Sequence, residues 1–186
     1  MAGRFFEQGR FLASRSEGAF QLDKATRSDY LHLGAAASLS PRIGISADYM
    51  KVNTKVDFRH NAYVDDMTLD ADSADARLTV TDVIADNDHF AIGYRLPLAV
   101  RHGAMTQHSV KGYDIAGNYH VAVDRIDFAV PKRHRIAHVT YVRQLKARSR
   151  GDAAFRWFVE GATHHNWGNM AGQKNRQINT GLIASF

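Results

Sequence analysis

The segment "INTGLIASF", residues 178–186, decides how this chain is read. In an extended conformation Ile178, Thr180, Leu182, Ala184 and Phe186 fall on one side, and Asn179, Gly181, Ile183 and Ser185 on the other, because successive side chains of a strand alternate. Working back from this strand, the period of two recurs, and apolar stripes at helical spacing are hard to place anywhere.

"AFRWFVEGA" sets Phe155, Trp157, Val159 and Gly161 against Ala154, Arg156, Phe158 and Glu160. "IAHVTYVRQL" gives Ala137, Val139 and Tyr141. "NYHVAVDRIDFAV" gives Tyr119, Val121 and Val123, then Ile126, Phe128 and Val130. That slip of one position reads as a bulge near Asp124–Arg125. "HFAIGYRLPLAV" lines up Phe90, Ile92, Tyr94, Leu96, Leu98 and Val100, with Pro97 marking a bulge or a strand end. "RIGISADYMKV" and "YLHLGAAASL" repeat the pattern on either side of "SPR", a tight turn in which Pro41 fixes φ. Weaker strand candidates cover 10–22, 76–86 and 105–112. The count is about ten strands with short polar connections, apart from two long ones at 53–75 and 163–175.

The expected fold class is therefore all-β, an antiparallel meander of about ten strands in a single domain over residues 1–186. Two architectures satisfy it. A soluble sandwich or barrel buries the apolar faces. A transmembrane β-barrel turns them to lipid and keeps a polar lumen. The opposite face carries Arg156, Glu160, Gln177, Asn179, His138, Thr140, His120 and Asp124, which both allow. Aromatic residues near strand ends (Tyr30, Tyr49, Tyr119, Phe155, Trp167, Phe186) suit interfacial girdles and favour the transmembrane barrel. Its lipid-facing residues are then Phe90, Ile92, Tyr94, Val139, Tyr141, Phe155, Trp157 and Val159.

A direction test supports this. With the last strand running toward the periplasm, 53–75 and 163–175 fall outside, while 40–42, 87, 113–117 and 146–152 fall on the periplasmic side, as barrels of this kind arrange their loops. The short links 101–104 and 131–134 also land outside, against the rule.

Composition narrows the alternatives. The chain has 186 residues, a net charge of +5 and no cysteine, so disulfide frameworks and thiolate metal sites are excluded. The basic clusters Lys132–Arg135 and Lys146–Arg150 read as solvated turns. Nucleic-acid binding needs aromatics interleaved with Lys or Arg on one face; "FRWF" puts Phe155 and Trp157 on the side opposite Arg156. No nucleic-acid partner is expected. No run approaches the roughly 18 apolar residues of a membrane-spanning helix, and "MAGRFFEQGRF" lacks the apolar region of a signal peptide.

The alternating terminal strand with Phe186 last resembles the C-terminal signature of bacterial outer-membrane proteins. That resemblance implies that Ile178, Thr180, Leu182, Ala184 and Phe186 form the assembly signal read by the barrel-assembly machinery. A narrower resemblance covers roughly 88–186. A strand ending in Pro97-Leu98, a downstream "YVRQL" strand (Tyr141, Arg143, Leu145) and closing segments including "AAFRWFVEGATHHN" are similar to the C-terminal β-domain of autotransporters, of the type that follows a subtilisin-like (S8) serine peptidase passenger. Residues 1–87 share only the strand pattern. The resemblance implies a translocator or anchor domain in the bacterial outer membrane. Its partners are outer-membrane lipid, the assembly machinery and a covalently linked upstream passenger, and the chain is then the C-terminal fragment of a longer one. The alternative is a soluble all-β module that binds a ligand or polysaccharide.

No chemistry of its own is expected. A subtilisin-type triad needs Asp, His and Ser in recognisable settings; His102-Gly103 lacks that setting, and no Gly-Thr-Ser-x-Ala stretch exists. No phosphate-cradling glycine loop is present. His164 and His165 are adjacent and point to opposite faces of a strand. His134 and His138 share a face but lie about 13 Å apart along a strand, too far for one zinc. The acidic run with Asp65, Asp66, Asp70, Asp72 and Asp75 lacks the central Gly and terminal Glu of a calcium loop and reads as a solvated connection. No cofactor or metal is expected.

Overall fold

The computed structural model describes residues 1–8, 10–11, 14–15, 22, 25–58, 63–65, 67–145 and 154–185. Its strands are β1 (Ala2–Gln8), β2 (Arg10–Phe11), β3 (Ser14–Arg15), β4 (Ala25–Ser40), β5 (Ile43–Val56), β6 (Met67–Thr81), β7 (Asp88–Tyr113), β8 (Tyr119–Asp127), β9 (Arg135–Leu145), β10 (Ala154–His165) and β11 (Lys174–Ser185). A 3-10 turn at Trp167–Asn169 is the single helical element among the described residues.

The protein is all-β. Nine strands form one antiparallel meander sheet in the order β1-β4-β5-β6-β7-β9-β10-β11, with β8 beside β7; β2 and β3 pair with each other. Among the described residues no ladder joins β1 to β11, so the path of the sheet is open.

The strand boundaries differ from the expected ones where a turn was inferred from polarity alone. β7 runs through 101–104 without reversal, so the strands expected at 89–100 and 105–112 are one strand of 26 residues. It serves two partners in turn: Asp88–Arg95 pair with β9, and Ala104–Tyr113 with β8. Both partners are antiparallel to β7, so β8 and β9 run in the same direction and the link at 131–134 is no reversal either. Phe128 N and Val130 N donate to the carbonyls of Gly103 and Val100 at 2.9 and 3.0 Å, which extends the pairing of the β8 segment along β7 beyond Asp127. Pro97 falls between the ladders, where a missing N–H on that side breaks no pairing.

The bulge expected at Asp124–Arg125 is not there, since those residues pair in register with Gln107 and Thr106; the shift lies between Val110 and Gly112 of β7. Val123 and Ile126 are exposed, so the change of frame costs no buried contact.

The connection expected at 53–75 is mostly strand, with 53–56 in β5 and 67–75 in β6. The strand expected at 76–86 ends at Thr81. The connection expected at 163–175 shrinks to 166–173. β1 was not expected at all. Of the candidate 10–22, only β2, β3 and Leu22 are described, and the link 146–152 lies outside the described residues. With β8 and β9 as successive partners of β7, the sides assigned to the connections change. The connections 57–66, 114–118 and 166–173 share one set of strand ends, and 41–42 and 82–87 share the other. The links at 101–104 and 131–134 are therefore not reversals, and the short link expected at 113–117 moves from its expected side to that of the longer connections, against the rule.

The chain divides into two compact units, to both of which β4 to β7 contribute. The first unit comprises 1–32, 50–72 and 98–130 and holds an apolar core of Leu22, Val56, Val64, Met67, Leu69 and Met105. Isolated bridges Leu22↔Phe58 and Val64↔Gln107 tie its connections to the core. The second unit comprises 33–49, 73–97 and 131–186. None of its described hydrophobic side chains is buried; the side chains it buries are those of Asp88, His164 and Asn166.

Candidate functional site

The two faces of the second unit are built by its ladders. Registers across β7, β9, β10 and β11 give the row Phe90, Tyr141, Val159, Thr180 and the row Ile92, Val139, Gly161, Ile178. Nearer the 82–87 turn, Trp157 stands between Arg143 and Leu182, and Phe155 between Leu145 and Ala184. All eight residues expected to face lipid therefore share one face, together with Ile178, Thr180, Leu182 and Ala184 of the terminal strand. Phe186 lies outside the described residues. The face is open: Ile178 is 82% exposed and Ile92 51%. A groove of about 700 Å³ on it is lined by small residues, among them Ala35, Ala37, Ala47 and Ala137, with Ile45, Leu78, Ile92 and Tyr94.

The other face is polar. A cavity of about 500 Å³ is lined by Arg77, Arg95, Arg156, His89, His138, Glu160, Gln177 and Asn179. Arg95 Nε is paired with Asp75 at 2.7 Å. Two glycines admit large rings on this face. A Cβ at Gly93 would meet the His138 ring at 2.5 Å, and one at Gly181 would meet the Phe158 ring at 2.7 Å. Alternation thus gathers most of the arginines, histidines and amides on one face and most of the aliphatic and aromatic side chains on the other, although Arg143 stands beside Trp157 on the apolar face and Ile136 and Val142 line the polar cavity.

Two polar devices lock the strand ends. The first is the 82–88 turn. Buried Asp88 accepts hydrogen bonds from Val83 N, Ile84 N and Ala85 N at 2.7, 2.9 and 2.8 Å, and from the Tyr141 hydroxyl at 3.0 Å. Burial pushes its pKa up, but the three backbone N–H groups and Tyr141 outweigh that and hold the carboxyl at about 2. Asp82 and Asn87 adopt positive φ, as their short polar side chains allow, and Asn87 N donates to Asp82 Oδ1 at 2.8 Å.

The second device joins the 166–173 connection to the segment before β9. His134 Nε2 and His164 Nδ1 are 3.0 Å apart, and the Trp167 ring meets both imidazoles near perpendicular. Asn169 Oδ1 accepts from His134 N at 2.9 Å, and Asn166 Nδ2 donates to Arg133 O at 3.1 Å. Desolvation, and then the charge of His164, lower the pKa of His134. His164 Nε2 is buried with no hydrogen-bond partner, and its ring faces Trp167 at 86°.

Sequence reasoning missed this pair. It compared His134 with His138 along one strand, whereas the contact comes from β9–β10 register, which sets Ile136 opposite His164. His165 lies in the same strand and takes no part in the pair. Among the described residues no group of three or more His, Cys, Asp or Glu side chains could hold a metal.

The acidic run is also corrected, because it is not a solvated connection. Asp70, Asp72 and Asp75 stand in β6 and meet Asn53, Arg101 and Arg95 on neighbouring strands, while Asp65 meets His108 at 3.1 Å. Carboxylates each matched to a separate cross-strand partner are not gathered around one ion. Asp66 lies outside the described residues. His102 stands in β7.

No protein family, curated protein or solved structure matches the chain.

Proposed function

We propose that this chain is a transmembrane β-barrel domain of a bacterial outer membrane, acting as an anchor or translocator with no chemistry of its own. The observation that carries the reading is the inverted second unit: none of its described apolar side chains is buried, and the side chains it buries are polar. In water such a face of aliphatic and aromatic residues marks an interaction surface. In lipid it is what a barrel wall requires, with polar residues turned to the lumen. Strand length supports the same reading, since β9, β10 and β11 have 11, 12 and 12 residues and a tilted transmembrane strand needs about 9–11.

On this reading the spanning part of β7 is 89–97, and Phe90, Ile92, Tyr94, Val139, Tyr141, Phe155, Trp157 and Val159 face lipid. Trp157, beside Tyr141 at 6.0 Å between ring centres, takes an interfacial position. Ile178, Thr180, Leu182, Ala184 and Phe186 are the assembly signal. The autotransporter role, with a covalently linked passenger upstream, stands on Tyr141, Arg143, Leu145 and the terminal strand. A second reading, a soluble all-β module for a ligand or polysaccharide, is favoured by the apolar core of the first unit.

Fractionation separates the two. A barrel pellets with membranes after carbonate washing, needs detergent to stay in solution and shows heat-modifiable migration. Recovery of folded protein from buffer alone would sink the barrel.

A further inference from the structure

The 166–173 connection is closed largely on itself. Gly172 N donates to Asn166 Oδ1 at 3.1 Å and Trp167 N to Gln173 O at 3.0 Å, and Asn166, Gly168, Asn169 and Gly172 all adopt positive φ. Its ties to the segment before β9 are of two kinds. The amide side chains of Asn169 and Asn166 bond to His134 N and Arg133 O, and these bonds do not titrate. The Trp167 ring lies against both imidazoles of the His134–His164 pair, with centres 5.3 and 4.5 Å away, and that tie depends on protons.

A nitrogen–nitrogen distance of 3.0 Å holds one hydrogen, whichever imidazole donates it. Once both rings are protonated, each of the two facing nitrogens carries its own hydrogen, and two positive charges share one site. His164 is 6% exposed and its Nε2 has no partner, so a proton added there meets neither water nor an acceptor.

The surroundings offer little to offset that charge. Arg133 and Arg135 flank His134 in sequence. Arg95 of β7 shares the row Arg95, Ile136, His164 and is paired with Asp75, while on β11 Asn175 stands opposite His164. His165, Arg135 and Lys174 form a row of their own, one residue along. On the polar face His138, opposite Ala162, is the next titratable group, and Glu160 lies four residues back along β10, roughly 13 Å away. Among the described residues no carboxylate bonds to either imidazole.

We propose that His134 and His164 form an acid-sensitive latch, which docks the 166–173 connection on the start of β9 at neutral pH and releases it when both imidazoles are protonated. His164 also lines the polar cavity, so the latch sits at the end of that cavity beside the connection. The sign follows from His134. Burial, and then the charge of His164, lower its pKa, so the docked state favours the neutral ring. Docking is therefore complete above the ordinary value of 6.5 and weakens as pH falls below it.

The full chain is purified in detergent with Trp157→Phe, which leaves Trp167 as the sole tryptophan. The test runs whether the apolar face meets lipid or water, so its outcome stands apart from the proposed barrel. Between about pH 7.5 and pH 4.5 the Trp167 emission maximum should move to longer wavelength and its quenching by acrylamide should rise about twofold, with the far-ultraviolet signal of the strands unchanged. Asp88, held at about 2, keeps its own turn intact over this range. His134→Gln places an amide near the position of Nε2, and His164→Asn places one near that of Nδ1. Each can keep a hydrogen bond that has no proton to gain, and each should abolish the shift. His165→Gln should leave it in place. No shift in the parent, the same shift in a folded His134→Gln or His164→Asn chain, or a shift accompanied by loss of the strand signal overturns the latch.

Discussion

The two units of this protein obey opposite rules with the same strands. β4 to β7 supply both. In the first unit, Val56, Met67, Leu69 and Met105 turn inward on a core and the acidic residues of β6 pair across strands. In the second, Leu78, Ile92 and Tyr94 of β6 and β7 stay exposed, while Asp88 is fully buried. One alternating pattern therefore buries apolar side chains in one unit and leaves them uncovered in the other. Period two says only that a strand has two unlike faces; which face is covered depends on what surrounds it.

The comparison can be broken most directly in the core of the first unit. Met105→Ala should cost about 2–5 kcal/mol, the usual loss plus cavity for a buried methionine. Denaturant unfolding in detergent measures it. A cost near zero would mean that this core is not the stabilising element of its unit.

The next largest effect tests the second unit from its apolar side, which the proposed function turns to lipid. Val159→Arg should cost about 2–4 kcal/mol in a bilayer, the penalty for a cation on the lipid face near mid-depth. Glu160→Arg, one residue along and on the polar face, should be much milder. Refolding yields into vesicles compare them, and equal penalties would reverse the face assignment.

Asp88 sharpens the contrast through pH. Its folded pKa is depressed, so the native turn favours the carboxylate. The stability it contributes is present in full above the ordinary value of 3.8 and is lost as pH falls toward about 2. Asp88→Asn should weaken the turn at neutral pH and flatten the acid transition over that window. Tryptophan emission is a suitable signal, since Trp157 packs against Tyr141, which donates to Asp88. An unchanged acid profile would show that the turn does not depend on the charge.

The smallest effect is expected where the units differ most. Ile178 is 82% exposed, so Ile178→Ala leaves no cavity and should change stability in detergent by no more than about 0.5 kcal/mol. A loss matching that of Met105→Ala would reveal a cover over this face that the chain does not itself supply.

Much of the second unit was legible in order. The turn at 40–42, strands over 136–145, 154–162 and 176–185, and the division of each strand into an apolar and a polar side follow from side-chain alternation, which is local and written residue by residue. By itself, then, the sequence determined the all-β class, the antiparallel meander and the division of residues between an apolar and a polar face. The tertiary structure alone decided where strands end and which polar groups meet. Polarity at 101–104 looked like a turn, yet β7 continues because β8 and β9 take its two halves in succession. The acidic run looked like a solvated connection, yet cations on β7 match Asp72 and Asp75 of β6. His134 and His164 are 30 positions apart in sequence and meet only because β10 folds back along β9. Pairing partners and register join residues distant in the chain, so no local pattern encodes them.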